Sequence, residues 1–193
     1  TADEESTMDG ARALREVTMP SATRAIIGEP TGLAPVRMHK GILMEAVRLI
    51  GRSGHSSDPS LGVSALDGMS EVLRALTDAR REMREQRNEH FAVPEPTLNL
   101  GRIEGGDSPN RICSSCFLSF DVRLLPSMDA AATRAELQER IRIALGETKL
   151  GVEFQTLAKS VPAFETPAEA TTVRVLEELS GHAAKAVMFC TEA

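Results

Sequence analysis

Arg111-Ile112-Cys113-Ser114-Ser115-Cys116-Phe117-Leu118-Ser119-Phe120-Asp121-Val122-Arg123-Leu124-Leu125 is the stretch from which the fold is read. It reads as one long strand, with Ile112, Phe117, Phe120 and Val122 as its bulk. Before it, Glu104-Gly105-Gly106-Asp107-Ser108-Pro109 is a turn, and Thr97 to Ile103 is a second strand. Pro94-Glu95-Pro96 breaks that strand from what precedes it. Further upstream a helix is expected from about Val63 to Arg87. Its stripe is Leu66, Met69, Val72, Leu73, Leu76 and Met83, at three- and four-residue steps. Its Arg-rich end suits the negative pole of the helix dipole. Ile42 to Ile50 alternates in part and reads as a half-buried strand.

Downstream, Pro126-Ser127-Met128-Asp129 ends the long strand, and Asp129 is placed to cap a helix from Ala130 to about Leu145. Leu137, Ile141, Ile143 and Leu145 are its apolar residues. Val152 to Leu157 is a further strand. From about Met38 to Ala163 the order is therefore strand, helix, strand, strand, helix, strand. That is the ferredoxin-like split βαβ pattern (βαββαβ), one antiparallel sheet with two helices on one face.

The flanks read as parts of a separate α/β layer that this α+β unit interrupts. Asp9 to Glu16 is a short helix, and Thr23 to Ile27 a short apolar strand closed by Gly28-Glu29-Pro30-Thr31-Gly32. Thr166-Pro167-Ala168-Glu169 is expected to start a helix that carries Val173, Val175, Leu176 and Leu179 and ends at Gly181. The chain starts at Thr1, and the apolar run Ala186-Val187-Met188-Phe189 leads straight into Cys190-Thr191-Glu192-Ala193. Both ends are therefore expected to be cuts through a longer protein.

The composition narrows the function. The 193 residues are 41% hydrophobic and 26% charged, with a net charge of −6. An acidic chain with 3% aromatics and neither Trp nor Tyr lacks the basic surface and stacking rings of a nucleic-acid binder. No apolar run approaches the length of a membrane span. Three cysteines do not make a disulfide framework, and a reducing cytoplasm is the simplest home.

Five groups of residues could carry chemistry. In Asp3-Glu4-Glu5-Ser6 adjacent carboxylates on an extended segment point opposite ways, so one could bind a metal while the other reaches a metal-bound water; an acidic N-cap is the plainer reading. Glu29 is expected at the edge of a buried strand, where α/β folds build sites, or is an ordinary turn glutamate. His55, in Gly54-His55-Ser56-Ser57-Asp58-Pro59, sits on a Gly/Ser loop, able to donate to an oxyanion. Asn110 and Arg123 stand at the two ends of the long strand segment. Arg123 suits a carboxylate through its two-pronged guanidinium, and equally an ion pair with Asp121 or Asp129. Cys113 and Cys116 form a C-x-x-C without the second pair a zinc knuckle needs, and three residues apart in a strand they are expected to face opposite sides. His39, His90 and His182 have no ligand spacing. No phosphate-cradling glycine loop, G-x-S-x-G elbow or H-E-x-x-H is present.

Taken together, these segments resemble the di-zinc aminoacylase and carboxypeptidase family. The matching stretches are Thr1 to Thr7, Ile27 to Thr31, His39-Lys40-Gly41, Gly54 to Pro59, Pro96 to Gly101, Gly105 to Asp107, Asn110 to Cys113 and Cys190 to Ala193, in family order. Thr97-Leu98-Asn99-Leu100-Gly101, Asn110-Arg111-Ile112-Cys113 and Cys190-Thr191-Glu192-Ala193 look specific to the branch that removes the acetyl group from N-acetyl-L-ornithine. The resemblance implies that Glu4 is the general base, that Glu5 and Glu29 each ligate one zinc, and that His55 steadies the oxyanion in the partner subunit's site. It implies that Asn110 and Arg123 hold the substrate carboxylate. Glu192 is assigned to the ornithine ammonium on charge match alone. Cobalt or manganese could replace zinc.

The resemblance also implies a homodimer, with residues 38–163 as lid and 1–37 and 164–193 as parts of the catalytic domain. The family's H-x-D motif, bridging Asp and C-terminal His have no counterpart here, so a two-metal site is not expected to assemble from this chain alone. The alternatives are a related N-acyl amino-acid hydrolase, such as a succinyl-diaminopimelate desuccinylase, and a dimerisation module without a site.

Overall fold

The computed structural model describes residues 22–190, together with Ala13. Its larger unit is a four-stranded antiparallel sheet built from β2 (Gly41–Ile50), β3 (Thr97–Gly105), β4 (Ser115–Leu124) and β5 (Gly151–Thr156), in the order β3-β4-β2-β5. Helices α1 (Ala65–Met83) and α2 (Ala130–Leu145) complete the βαββαβ order. The expected ferredoxin-like unit is present.

Period-two side-chain placement makes the core. On β4, Cys116, Leu118, Phe120, Val122 and Leu124 are buried, while Ser115, Phe117, Ser119, Asp121 and Arg123 lie half-buried on the other face. Leu43, Val47 and Leu49 of β2 join them. α1 adds Ala65, Met69, Val72, Leu76, Ala79 and Met83, the three- and four-residue stripe of a helix docked on a sheet. α2 adds Thr133, Leu137, Ile141 and Leu145 at four-residue spacing. Both helices start on side-chain caps: Asp67 N–H donates to Ser64 Oγ at 3.2 Å, and Ala132 N–H to Asp129 Oδ1 at 2.7 Å. Leu66 and Ile143, expected on apolar stripes, are exposed.

One charge is buried inside this unit. Glu45 on β2 is 4% exposed. It accepts from Arg134 Nε of α2 at 2.9 Å and from Thr156 Oγ1 of β5 at 3.1 Å. The pair ties helix, central strand and edge strand together. Strand β2 is thus more deeply buried than the half-buried strand expected, because it lies between β4 and β5.

The smaller unit is a three-stranded sheet, with β1 (Val36–His39) antiparallel to β6 (Phe164–Glu165) and parallel to β7 (Lys185–Val187). Helix α3 (Thr171–Ser180) precedes β7 and ends at Gly181, whose φ of 70° needs a residue without Cβ strain. The helix begins later than expected. Phe164 and Glu165 pair with β1, and Thr166 N–H donates to the Arg37 carbonyl at 2.7 Å. That keeps 164–166 extended and leaves Pro167 ahead of the helix. Thr23 to Ile27, expected as a strand, forms none, and Ile26 and Ile27 are exposed. The expected helix Asp9 to Glu16 falls, apart from Ala13, outside the described residues.

The two sheets meet at Lys40, the residue between β1 and β2. It is 1% exposed, donates from Nζ to the Glu95 carbonyl at 2.6 Å, and lies 5.5 Å from the Phe91 ring centroid. Burial pushes its ammonium below the ordinary lysine value, partly offset by the Glu95 carboxylate. Met38, Phe91 and Leu125 form a second apolar cluster there, with Met128, Ala186 and Met188 packed on it.

Candidate functional site

The loop after β2 is zipped backbone to backbone onto the segment before β4. Ser56 N–H donates to the Asn110 carbonyl at 3.0 Å, Ile112 N–H to the Gly54 carbonyl at 2.8 Å, and His55 bridges Arg111. Gly62 permits this closure, because a Cβ there would stand 2.4 Å from Ile112 Cδ1. The expected residues His55 and Asn110 are therefore neighbours at one end of the sheet.

Their hydrogen bonds determine what each can offer. Ser57 N–H donates to His55 Nδ1 at 3.2 Å, and Ser57 Oγ lies 2.7 Å from the same nitrogen. A backbone amide can only donate, so Nδ1 is the acceptor and the neutral ring carries its proton on Nε2. Asn110 Oδ1 accepts from Ser108 Oγ at 2.6 Å, leaving the amide nitrogen as a donor. Both side chains are exposed. This end of the sheet presents two N–H donors to whatever faces it. Ser57 and Ser108 were not singled out from sequence; their i+2 and i−2 spacing from His55 and Asn110 is the signal that was there.

Arg123 is at the other end. It pairs in register with Ile42 and Thr97, whereas Ser115 of the same strand pairs with Ile50. Eight residues of strand separate Arg123 from Ser115, about 26 Å at 3.3 Å per residue, and Asn110 lies beyond Ser115. Within one chain, then, Asn110 and Arg123 cannot hold the same carboxylate. The Arg123 side chain is 28% exposed, and its Nε donates to Asp121 Oδ2 at 2.9 Å.

Glu29 is half-buried and lines a cavity of about 280 Å³ beside the small sheet, with His39 also on its wall. His39 Nδ1 lies 3.0 Å from the Lys40 carbonyl, and its ring stacks on Phe164 with centroids 5.6 Å apart. Glu4, Glu5 and Glu192 lie outside the described residues. Glu29 fits as one hard oxygen donor for a divalent cation. Among the described residues, however, no group of three or more His, Cys, Asp or Glu side chains could hold a metal ion, so they do not fit a complete metal centre. The C-x-x-C pair departs from expectation in one respect. Cys113 precedes β4, where the chain is irregular, so both thiols turn into the same core. Burial, reinforced by Cys113, raises the Cys116 thiol. These cysteines pack.

An antiparallel βαββαβ unit with polar groups at both ends of its sheet, exposed at His55 and Asn110 and half-buried at Arg123, appended to an α/β layer, is the class this geometry defines, and the chain belongs to the peptidase dimerisation domain family, whose model matches residues 37–149. Curated relatives sharpen the likeness. The whole chain aligns with acetylornithine deacetylase of Vibrio vulnificus at 46% identity and with that of Aliivibrio salmonicida at 42%. Each alignment takes in 51% of the relative, so the chain spans about half the length of the curated relatives it matches. A crystal structure of an aminopeptidase from Bacillus cereus superposes on the whole chain and on 50% of its own, with a TM-score of 0.67 at 21% identity. At that identity the likeness speaks to the fold.

Proposed function

We propose that the chain is the lid and part of the catalytic layer of a homodimeric hydrolase that cleaves the amide of N-acetyl-L-ornithine to ornithine and acetate. Residues 38–163 are the lid, and 1–37 and 164–193 belong to the catalytic layer. The observation that carries this reading is that the likeness to acetylornithine deacetylases runs through the flanks as well as the lid. A bare dimerisation module would share the lid alone. A cysteine count of three, too small and odd for a disulfide framework, fits a reducing cytoplasm, and the product fits arginine biosynthesis.

The roles are those the family resemblance implies, set beside the positions described. Arg123 takes the substrate α-carboxylate through its terminal nitrogens. His55, with Nδ1 held by Ser57, offers Nε2–H to the oxyanion that forms when the amide is attacked. His55 lies a sheet length from Arg123, so it serves the site of the partner subunit, together with Asn110. Asn110 thereby reaches the same carboxylate as Arg123 from across the dimer. Glu4 takes the proton from the attacking water and passes it to the leaving amine. Glu5 and Glu29 would each offer a carboxylate to a divalent cation (zinc, with cobalt or manganese as substitutes), whose chemistry, if bound, would be to acidify a water and polarise the amide carbonyl. Glu192 meets the ornithine ammonium, and Glu192→Gln should weaken the preference for ornithine over uncharged side chains.

The test is hydrolysis of N-acetyl-L-ornithine by the full-length protein, beside N-succinyl-diaminopimelate as competitor. Preferential release of acetate supports the reading. Preferential desuccinylation transfers the site to the related acylase, and no hydrolysis of either leaves a dimerisation module.

A further inference from the structure

Resting on the reading of Arg123 as the carboxylate anchor, we propose that Asp121 is a positioning residue that aims the Arg123 guanidinium at the substrate. The two side chains are i and i+2 on β4 and so share one sheet face. Asp121 Oδ2 accepts from Arg123 Nε at 2.9 Å. That bond occupies the side edge of the guanidinium and leaves the end edge, Nη1 and Nη2, as a parallel pair of donors. The end edge is the one that matches a carboxylate two-prong to two-prong. In register around the pair stand Met44 and Asn99 beside Asp121, and Ile42 and Thr97 beside Arg123. None of these four is a carboxylate. Asp121 alone ion-pairs with Arg123 among the described residues, and it holds the guanidinium by its Nε edge.

The other oxygen points the same way. Asp121 Oδ1 is buried and has no hydrogen-bond partner among the described residues. Among the described residues the one polar side-chain partner of the Asp121 carboxylate is therefore Arg123. The carboxylate's use lies in what Oδ2 does to Arg123. An amide in its place would still accept from Nε, whereas a methyl group would release the guanidinium to rotate.

The experiment is steady-state kinetics of the full-length protein on N-acetyl-L-ornithine, with Asp121→Ala, Asp121→Asn, Arg123→Ala and the Asp121→Ala/Arg123→Ala double variant. Losing one charge-assisted positioning bond should raise KM about tenfold in D121A with kcat within about twofold, since the anchor serves ground and transition state alike. D121N should keep KM within about threefold of the parent, because the acceptor survives while the charge is lost. R123A should raise KM further, and adding D121A to it should change nothing more. An unchanged KM in R123A defeats the anchor reading and this proposal with it. A raised KM in R123A with an unchanged KM in D121A defeats the positioning role alone. A KM that rises as much in the R123A background as in the parent, or a D121N as impaired as D121A, also overturns it. If D121A does not fold, Asp121→Glu displaces the acceptor by one methylene and carries the same expectation of raised KM at steady kcat; a parental KM there overturns the proposal.

Discussion

Replacing Arg134 with Met isolates the one buried charge pair of the sheet unit. Glu45 is 4% exposed, and in the variant it keeps only the Thr156 hydroxyl at 3.1 Å. Stripping a buried carboxylate of its cation costs about 3–5 kcal/mol when both partners are dry. Here the Arg134 side chain is 26% exposed, so water already screens its side of the pair. Discounting for that screening, the expected loss is about 2–3 kcal/mol. Urea unfolding followed by circular dichroism measures it. The companion variant Glu45→Gln/Arg134→Met removes both charges and should lose about 1 kcal/mol or less, because no uncompensated ion remains buried. An Arg134→Met variant within about 0.5 kcal/mol of the parent would refute the reasoning, since that is the range of an ordinary surface substitution. A double variant no better than the single would show that packing rather than the orphaned charge sets the loss.

Two further outcomes are expected. Lys40 titrates below its ordinary value of 10.5 in the folded chain, so between that lowered value and 10.5 the unfolded chain binds more protons and the lysine's contribution to stability rises with pH. Urea unfolding of the parent and Lys40→Met across alkaline pH should show the parent gaining on the variant as pH climbs; a parent that keeps pace with the variant or loses ground to it would contradict the burial of that ammonium. The 193-residue chain by itself should neither hydrolyse N-acetyl-L-ornithine nor bind zinc tightly by calorimetry, because the described residues hold no complete ligand set. Robust turnover by the chain alone would contradict this.

The sheet unit was legible because its signals are local and agree. β4 alternates with period two, α1 repeats at three and four residues, and Ser64 and Asp129 stand where caps belong. What failed depends on distant partners. Pro167 looks like a helix start until β1 holds Phe164–Thr166 extended from 125 residues away in sequence (Phe164 against His39). Ile26 and Ile27 look like a strand, but a strand exists only beside another one, and none of the described strands takes them. Cys113 and Cys116 diverge only on a regular strand, and the chain becomes regular only at Ser115. For the site, residue types were legible, and reading Arg111 to Leu125 as one strand already sets Asn110 and Arg123 at opposite ends of it. What the sequence does not carry is side-chain partnership: nothing in it says that Ser57 fixes the tautomer of His55 or that Ser108 holds the Asn110 oxygen.

The division of the site between two copies is the central claim, and subunit mixing tests it most directly. His55→Ala and Arg123→Ala homodimers of the full-length protein, each nearly inactive at substrate well below the parental KM, are dissociated, mixed in equal amounts, reassociated and assayed at that concentration. If His55 serves the partner's site, half of the dimers are mixed and each carries one intact site, so activity should recover to about a quarter of the parental value. If His55 and Arg123 of the same chain share a site, every site keeps a defect, and the mixture stays as inactive as its components.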